Sequence, residues 1–153
     1  MTNPTQHTSP RLPYGKLAAK STQALLAFSA AVKESSIGAQ LVDLIFLCVS
    51  QINGCAYCID MHWRDLIKEG GDARHLNTVV AWQESPFFSL RERAALGWVD
   101  ALTHSQHKPQ DAAFVELQQH FSDQEIAEIT MAIANMNAWN RIGVGMRQPI
   151  PTA

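Results

Sequence analysis

Residues 50–62 read SQINGCAYCIDMH, and the rest of the chain is organised around this stretch. It holds two of the three cysteines, Cys55 and Cys58, as a Cys-x-x-Cys pair, and His62 follows four residues after the second. The Asn53-Gly54 pair ends the preceding element, because both residue types favour turns. Asn53 also offers a side-chain oxygen that can cap a new helix. A helix that carries both cysteines is therefore predicted to begin here.

The predicted dithiol helix runs to about residue 69, where two consecutive glycines end it. Cys55, Cys58 and His62 then take positions i, i+3 and i+7, which lie on one helical face. A thiolate is the attacking form of cysteine, and an imidazole one turn away can take the thiol proton. The pattern therefore indicates thiol redox chemistry, and we predict that the two cysteines form a reversible disulfide.

Other uses of the cysteine pair stay open. A zinc site needs four ligands, and without a second Cys-x-x-Cys or a His-x-x-x-His it would have to recruit His62, His75 or Cys48. Cys48 belongs to an apolar stripe and is expected to pack in the core. The pair could also be two unreactive buried cysteines. The order of attack is open as well, since a helix N-terminus favours Cys55 and the imidazole favours Cys58.

Length and composition limit the class of protein. The chain has 153 residues, 46% of them hydrophobic and 17% charged, which fits one domain. A net charge of −2 without a basic run argues against a nucleic-acid partner. The polar N-terminus has no apolar h-region, and the longest apolar run is too short to span a bilayer. We therefore predict a cytoplasmic protein without membrane contact, where a Cys-x-x-Cys pair is more typical of catalysis or metal binding than of a structural disulfide.

Hydrophobic periodicity predicts helices throughout the chain. Ser89 and Ser122 have the capping-box form, Pro109 begins another helix, and Gly143 and Gly145 end the last one at about residue 141. No segment shows sustained strand alternation. The prediction is an all-α single domain of about six or seven helices, with a flexible arm at 1–12, a helical domain at 13–147 and a tail at 148–153. The predicted helices lie at about 14–34, 39–51, 53–69, 72–80, 89–103, 109–121 and 122–141.

The stretch 50–62 resembles the core motif of the AhpD-like alkylhydroperoxidases in the carboxymuconolactone decarboxylase family. The resemblance runs from about residue 14 to residue 147. It implies an AhpD-like helical bundle that assembles as trimers or as hexamers built from them. The other matching segments are Ala81-Trp82, Ser85-Pro86-Phe87-Phe88, Arg91-Glu92-Arg93-Ala94-Ala95-Leu96 and Asn137-Ala138-Trp139-Asn140-Arg141.

The resemblance also implies a catalytic cycle. Cys58 attacks a hydroperoxide to give a sulfenic acid, Cys55 closes a disulfide, and a lipoyl or thioredoxin-like dithiol protein reduces it. His62 shares a proton relay with a glutamate twelve residues before the first cysteine, and this sequence has Asp43 there. The expected catalytic residues are thus Cys58, Cys55, His62 and Asp43, with no cofactor and no metal.

The sequence departs from the family at three positions. Phe46 and Cys48 stand where relatives often carry basic residues, and Tyr57 replaces a histidine between the cysteines. Two other functions therefore stay as alternatives. One is a lactone decarboxylase, which would use histidine acid–base chemistry and would not need the cysteines; the other is a non-enzymatic redox sensor. The low charge fraction and four tryptophans also predict a homo-oligomer.

Overall fold

The computed structural model describes residues 8–104 and 110–152. Within these ranges the chain has eight α-helices, one 3₁₀ turn and no strand, so the all-α prediction is confirmed. The helices are α1 Tyr14–Leu17, α2 Ala19–Lys33, α3 Ala39–Asn53, α4 Ala56–Lys68, α5 Ala73–Asn77, α6 Leu90–Thr103, α7 Asp111–Gln118 and α8 Asp123–Met146, with the 3₁₀ turn at Val79–Ala81.

The helix count differs from the predicted six or seven because the first predicted helix is broken. Ala18 has φ −117° and ψ 47°, which separates the four-residue α1 from α2. The last helix is also longer than predicted, since α8 passes through Gly143 and Gly145 and ends at Met146. The two glycines were interpreted as an end signal, and that interpretation was wrong. The reason for a glycine at position 143 lies in its contacts, which are described below.

Helix α3 is the centre of the molecule and packs against α4, α6 and α8. All residues from 42 to 50 are buried, so the helix is enclosed on every side rather than along one apolar stripe. Burying each large aliphatic side chain of this helix contributes about 1.5–3 kcal/mol. Asp43 is enclosed with its neighbours and is fully buried.

Polar side chains begin three helices as the sequence indicates. Ser89 and Ser122 each form a complete capping box, with Glu92 and Glu125 as the reciprocal partners. Asp72 caps α5 by accepting a hydrogen bond from the backbone N–H of Arg74 at 2.7 Å. The predicted start of α7 at position 109 lies outside the described residues.

The turn between α3 and α4 places the cysteines. Asn53 is the last residue of α3, Gly54 takes the left-handed conformation at φ 69°, and Cys55 is the N-cap of α4. The predicted N-cap, Asn53, was therefore wrong by two positions. Its amide nitrogen instead donates to the side-chain oxygens of Asn137 at 2.9 Å and Asn140 at 3.0 Å. These bonds tie the turn before the cysteines to α8.

Two further hydrogen bonds strengthen the same connection. Asn140 donates to the Ser50 hydroxyl at 3.0 Å, and both of these residues are fully buried. Arg141 Nη1 donates to the Asn53 side-chain oxygen at 3.1 Å. The segment 137–141 therefore holds the end of α3 in place, which accounts structurally for one of the segments on which the family resemblance depends.

Some sequence predictions lie beyond what the structure tests. No helix in the described part of the chain is long and apolar enough to cross a membrane. The cytoplasmic location stays a prediction, as does the division into an arm at 1–12, a domain at 13–147 and a tail at 148–153.

Candidate functional site

Cys55 and Cys58 form a disulfide, with their sulfur atoms 2.04 Å apart. The Cys55 sulfur accepts a hydrogen bond from the backbone N–H of Cys58 at 3.4 Å, as an N-cap side chain does. Unpaired N–H groups at a helix N-terminus stabilise negative charge, so this end of α4 favours a thiolate on Cys55 once the disulfide is reduced. Both residues are buried, with exposed fractions of 2% and 4%.

A cavity of about 490 Å³ lies beside the disulfide, between α2, α3, α4 and α8. Cys58 and His62 line it, whereas Cys55 does not. A volume of this order suits a small organic molecule. Such a molecule would meet the sulfur of Cys58 and not that of Cys55. The apolar and aromatic part of the wall consists of Tyr14, Leu26, Phe46, Tyr57, Met61, Met136 and Trp139.

A larger cavity, of about 810 Å³, lies near the starts of α3, α5 and α6. It is lined by residues such as Gln40, His75 and Glu92, and by none of the four predicted site residues. The smaller cavity is therefore the candidate site, because it alone of the two brings a cysteine and a buried histidine together.

Asp43 lies beside His62 in the core of the site. The carboxylate Oδ1 is 3.3 Å from His62 Nδ1, and the two side chains are 0% and 3% exposed. The contact is at ion-pair distance without the alignment of a good hydrogen bond. A carboxylate next to Nδ1 favours the tautomer with hydrogen on Nδ1, which leaves Nε2 as a proton acceptor. The aspartate therefore reaches the histidine although it is one methylene shorter than the family's glutamate.

Lys33, at the end of α2, completes this cluster and was missed in the sequence. Its ammonium lies 3.1 Å and 3.2 Å from the two carboxylate oxygens of Asp43. The lysine side chain is 43% exposed whereas the carboxylate is fully buried, so the ammonium compensates a charge that would otherwise be buried without a cationic partner. Nothing in the local pattern could have indicated it, because the lysine precedes Asp43 by ten residues on another helix.

The pKa of Asp43 reflects opposing effects. Burial raises it, but the adjacent imidazole of His62 and the charge and hydrogen bond of Lys33 outweigh burial and hold the pKa below its usual 3.8. A carboxylate whose folded-state pKa is depressed stabilises the fold above its unfolded pKa, and this is lost as pH falls through the folded value. Asp43 is therefore ionised throughout the neutral range.

Phe46 also belongs to this cluster. Its ring centroid is 5.0 Å from that of His62, with the two planes at 56°, so the phenylalanine packs on the imidazole and helps to bury it. Relatives are expected to carry a basic residue at this position. Here the cation near Asp43 comes from Lys33 on the neighbouring helix instead.

The cluster also contains a set of donor atoms that could hold a metal ion. Side-chain atoms of Asp43, His62 and Asp65 lie within 4.8 Å of one another. One histidine and two carboxylates are ligands for several divalent metals. Lys33, however, already neutralises Asp43, so a metal would have to displace the ammonium. The contact between Lys33 and Asp43 therefore disfavours a metal centre at this position.

The remaining cysteine is unsuited to zinc or thiol chemistry. Cys48 is a free, buried thiol in α3. Burial, and to a lesser degree the charge of Asp100, raises the pKa of Cys48 to about 12. It is thus a thiol at neutral pH, in line with the prediction that it packs in the core.

Gly143 allows α8 to pass directly against the disulfide. A Cβ atom at this position would lie 2.9 Å from the Cys55 sulfur and 3.4 Å from the Cys58 sulfur. Contacts of this length between carbon and sulfur are repulsive, so a larger residue would displace either α8 or the disulfide. Sequence reasoning missed this role, although a glycine inside a helical pattern is a signal of close approach.

We expect Gly143→Ala to lower the thermal stability of the oxidised protein. Overpacking costs about 1–3 kcal/mol of stability. Replacing a helical glycine by alanine returns about 1 kcal/mol through helix propensity, which is less than the cost of overpacking over most of that range. Gly145→Ala is the matched control, because the Cβ there meets nothing within 4 Å in the same helix. Calorimetry should give a lower Tm for Gly143→Ala and an unchanged or higher Tm for Gly145→Ala. Equal shifts in the two variants would contradict the packing role of Gly143.

The structure thus brings Cys55, Cys58, His62 and Asp43 into one cluster. Fold and site together define an all-helical protein with a buried dithiol/disulfide at a helix start, next to a small cavity and a carboxylate-linked histidine.

The family follows from a comparison of sequences. A model of the carboxymuconolactone decarboxylase family matches residues 19–101, which is more than half of the chain. The chain belongs to this family, and its fold is that of the AhpD-like members.

Individual relatives extend the comparison. An uncharacterized protein, YdfG, from Bacillus subtilis (strain 168) is 33% identical over 90% of this chain and 95% of its own length. A solved structure from Agrobacterium tumefaciens, of unknown function and named as a candidate antioxidant defence protein AhpD, is 41% identical, with a TM-score of 0.89 over 94% of this chain and 99% of that one. An AhpD-core, peroxidase-related protein from Ralstonia eutropha JMP134 shares the fold at 20% identity, with a TM-score of 0.81 over 94% and 77% of the two chains.

Proposed function

We propose that this protein is a thiol-dependent peroxidase of the AhpD-like type, which reduces hydroperoxides through a Cys55/Cys58 dithiol–disulfide cycle. The observation that carries the proposal is the position of Cys58, which lines the cavity together with His62 while Cys55 lies behind it. Membership of the carboxymuconolactone decarboxylase family and the AhpD-like fold support an enzyme of this kind.

The first step oxidises Cys58. His62 Nε2 takes the proton of the Cys58 thiol, and the thiolate attacks the terminal oxygen of the hydroperoxide. A sulfur–oxygen bond forms as the oxygen–oxygen bond breaks, and the leaving alkoxide takes a proton from the imidazolium. Cys58 becomes a sulfenic acid and the hydroperoxide becomes an alcohol.

The second step closes the disulfide. The Cys55 thiol attacks the sulfur of the sulfenic acid, and water leaves. The Cα atoms of the two residues are 5.3 Å apart in the disulfide form, a distance typical of this bond. Neither step needs a metal or a cofactor, because the electrons come from the two thiols.

Reduction by an external dithiol returns the enzyme to its starting state. The incoming thiolate attacks Cys58, the sulfur that lines the cavity, and Cys55 leaves. A helix N-terminus that favours the Cys55 thiolate makes it a better leaving group, because a thiol of lower pKa leaves faster. With both cysteines at most 4% exposed, a slender dithiol of the lipoyl kind fits this access better than the broad face of a thioredoxin-like protein.

Peroxide consumption across a panel of reductants tests the proposed function. Purified protein is given cumene hydroperoxide with a dihydrolipoyl-bearing protein, a thioredoxin or dithiothreitol, and the Cys55→Ser/Cys58→Ser double variant is the control. We expect turnover with at least one dithiol, fastest with the lipoyl protein, and none in the control.

The same experiment separates the alternatives. Disulfide formation by hydroperoxide without turnover under any reductant would indicate a redox sensor. Thiols inert to hydroperoxide, together with turnover of a γ-carboxymuconolactone-type substrate by the double variant, would indicate a lactone decarboxylase.

We also propose that the protein is a homo-oligomer, a trimer or a hexamer. Large apolar side chains are exposed on the single chain, a surface that oligomers commonly bury. Light scattering at micromolar concentration should give three or six times the 16.9 kDa chain mass. A mass of one chain would contradict the proposal. Examples of the exposed side chains are Leu17, Leu26, Trp63, Val80, Leu90 and Met131.

A further inference from the structure

Asn135 lies in the middle of α8 and faces the candidate site. The residue is fully buried, and it lines the same cavity as Cys58 and His62. A polar side chain in this position is unusual for a helix interior packed on the core, where apolar residues are the rule. No motif or spacing in the sequence singles it out.

The Asn135 amide presents its oxygen, and not its nitrogen, to Ser29. Its side-chain oxygen accepts a hydrogen bond from the Ser29 hydroxyl at 3.1 Å, and the Ser29 oxygen in turn accepts one from the Trp139 indole N–H at 2.8 Å. The Ser29 hydroxyl has a second acceptor within reach, the carbonyl oxygen of Leu25 at 3.0 Å. Ser29 and Trp139 therefore keep their partners even without the asparagine.

The amide nitrogen of Asn135 is the part without a partner. Among residues 8–104 and 110–152, no acceptor forms a hydrogen bond with Nδ2, although the atom is buried. His62 Nε2 is in the same state and lines the same cavity. Buried polar groups in folded proteins are nearly always paired, since leaving one unpaired lowers stability. An unpaired amide nitrogen and an imidazole without a hydrogen bond around one cavity next to a reactive sulfur point to a ligand that pairs with them.

We propose that Asn135 is a catalytic residue that donates a hydrogen bond from Nδ2 to the leaving oxygen of the hydroperoxide. The inference rests on the proposed peroxidase function and assigns a residue to its first step. As the Cys58 thiolate attacks the terminal oxygen, the oxygen–oxygen bond breaks and negative charge develops on the alkoxide. A fixed donor aimed at this oxygen stabilises the charge before the His62 imidazolium protonates it.

Asn135→Leu tests the proposal with little structural disturbance. Leucine has a similar shape, it removes the unpaired donor, and it leaves the Ser29 hydroxyl bonded to the Leu25 carbonyl. We expect the second-order rate constant for oxidation of the reduced protein by cumene hydroperoxide to fall about 10- to 100-fold. The Tm should be unchanged or higher, because an apolar group replaces an unpaired buried amide.

Two controls separate this role from a general structural one. Alkylation of Cys58 by allyl bromide should change less than about 2-fold in Asn135→Leu, because its bromide leaving group is a much weaker hydrogen-bond acceptor than an alkoxide. Thr130→Val, on the same helix, removes the partner of the Trp98 indole N–H and should lower the Tm without slowing peroxide oxidation.

Each outcome decides the proposal. A peroxide rate within about 2-fold of the wild type, or a fall in the allyl bromide rate equal to the fall in the peroxide rate, overturns the role of Asn135. A fall in the hydroperoxide rate of Asn135→Leu without an equal fall in its allyl bromide rate supports the role of Asn135, whatever the change in Tm. This holds provided that Thr130→Val reacts with hydroperoxide at the wild-type rate. If the wild type itself does not react with hydroperoxide, the proposed function fails, and the inference fails with it. That outcome differs from the failure of Asn135 alone, in which the wild type and the variant react equally.

Discussion

Cys58→Ser is expected to abolish the oxidation of the reduced protein by hydroperoxides, and Cys55→Ser is expected to leave a sulfenic acid on Cys58. The reason is access, because Cys58 lines the 490 Å³ cavity and Cys55 does not. In Cys55→Ser the resolving thiol is missing, so the sulfenic acid persists and a dimedone-type probe can capture it. Peptide mass spectrometry of the trapped product gives the position of the modified residue.

One effect opposes this assignment. Cys55 is the N-cap of α4, where the helix favours a thiolate, and this would make Cys55 the better nucleophile. An interaction with a helix N-terminus is worth about 0.3–1 kcal/mol, which changes a thiolate population less than 10-fold. A thiol that the oxidant does not reach loses far more than 10-fold in its rate of reaction. We therefore expect access to decide which thiol reacts first.

Cys48→Ser is the matched control for both variants. Its thiol is buried and its pKa is raised to about 12, so the substitution should leave peroxide oxidation unchanged. A dimedone adduct on Cys55 in Cys58→Ser, at a rate near that of the wild type, would reverse the roles of the two cysteines.

The parts of the fold that the sequence predicts depend on local chemistry. The capping boxes at Ser89 and Ser122 follow from side chains within three residues of each other, and both are present in the structure. The cysteine pair and His62 share one face of α4 because helical spacing alone brings them together. The all-α class follows in the same way from periodicity summed over the whole chain.

The parts that the sequence does not predict depend on packing between helices. The amphipathic pattern of α3 indicates one buried face, yet three neighbouring helices enclose it and bury Asp43 completely. Lys33 reaches that carboxylate from another helix, so its role has no local signature. Gly143 resembles a helix end until the disulfide against which it packs is known. Each of these residues is defined by a partner far away in the chain.

Asp43→Asn is expected to slow the oxidation of Cys58 by about 10- to 100-fold, the usual size of effect when a group that orients a functional histidine is lost. The carboxylate lies 3.3 Å from His62 Nδ1, a position that favours the tautomer in which Nε2 accepts a proton. An amide can present its NH₂ to Nδ1 and favour the other tautomer. It also lacks the negative charge that stabilises a proton on the ring.

Asp43→Glu should not raise the rate, since the aspartate already reaches His62. The site is 0% exposed, and an additional methylene there costs about 1–3 kcal/mol through overpacking. Lys33→Met should have a smaller effect than Asp43→Asn, because the half-exposed ammonium contacts the carboxylate and not the histidine. The relative oxidation rates of the three variants thus show whether the charge of residue 43 and the His62 tautomer control the reaction, or whether the length of the side chain at position 43 does.

The pH dependence of Cys58 alkylation is the sharper measurement for Asp43. The pKa of Asp43 lies below its usual 3.8, so the carboxylate keeps its charge from pH 5 to 9 and adds no transition of its own there. The wild-type transition in this range therefore belongs to the coupled titration of Cys58 and its neighbours. Asp43→Asn removes a negative charge that favours proton transfer to His62, and the midpoint of the transition should move to higher pH.

Asp60→Asn is the matched control for this shift. Asp60 lies on the same helix as His62, but its partner is Arg64, in an exposed ion pair. Its removal takes away the same charge without touching the histidine, and the alkylation curve should stay in place. If Asp43→Asn and Asp60→Asn both superimpose on the wild type, Asp43 is a structural partner of Lys33 and another group completes the relay. If both shift equally, the effect is one of net charge, and the contact between Asp43 and His62 has no special part in activating Cys58.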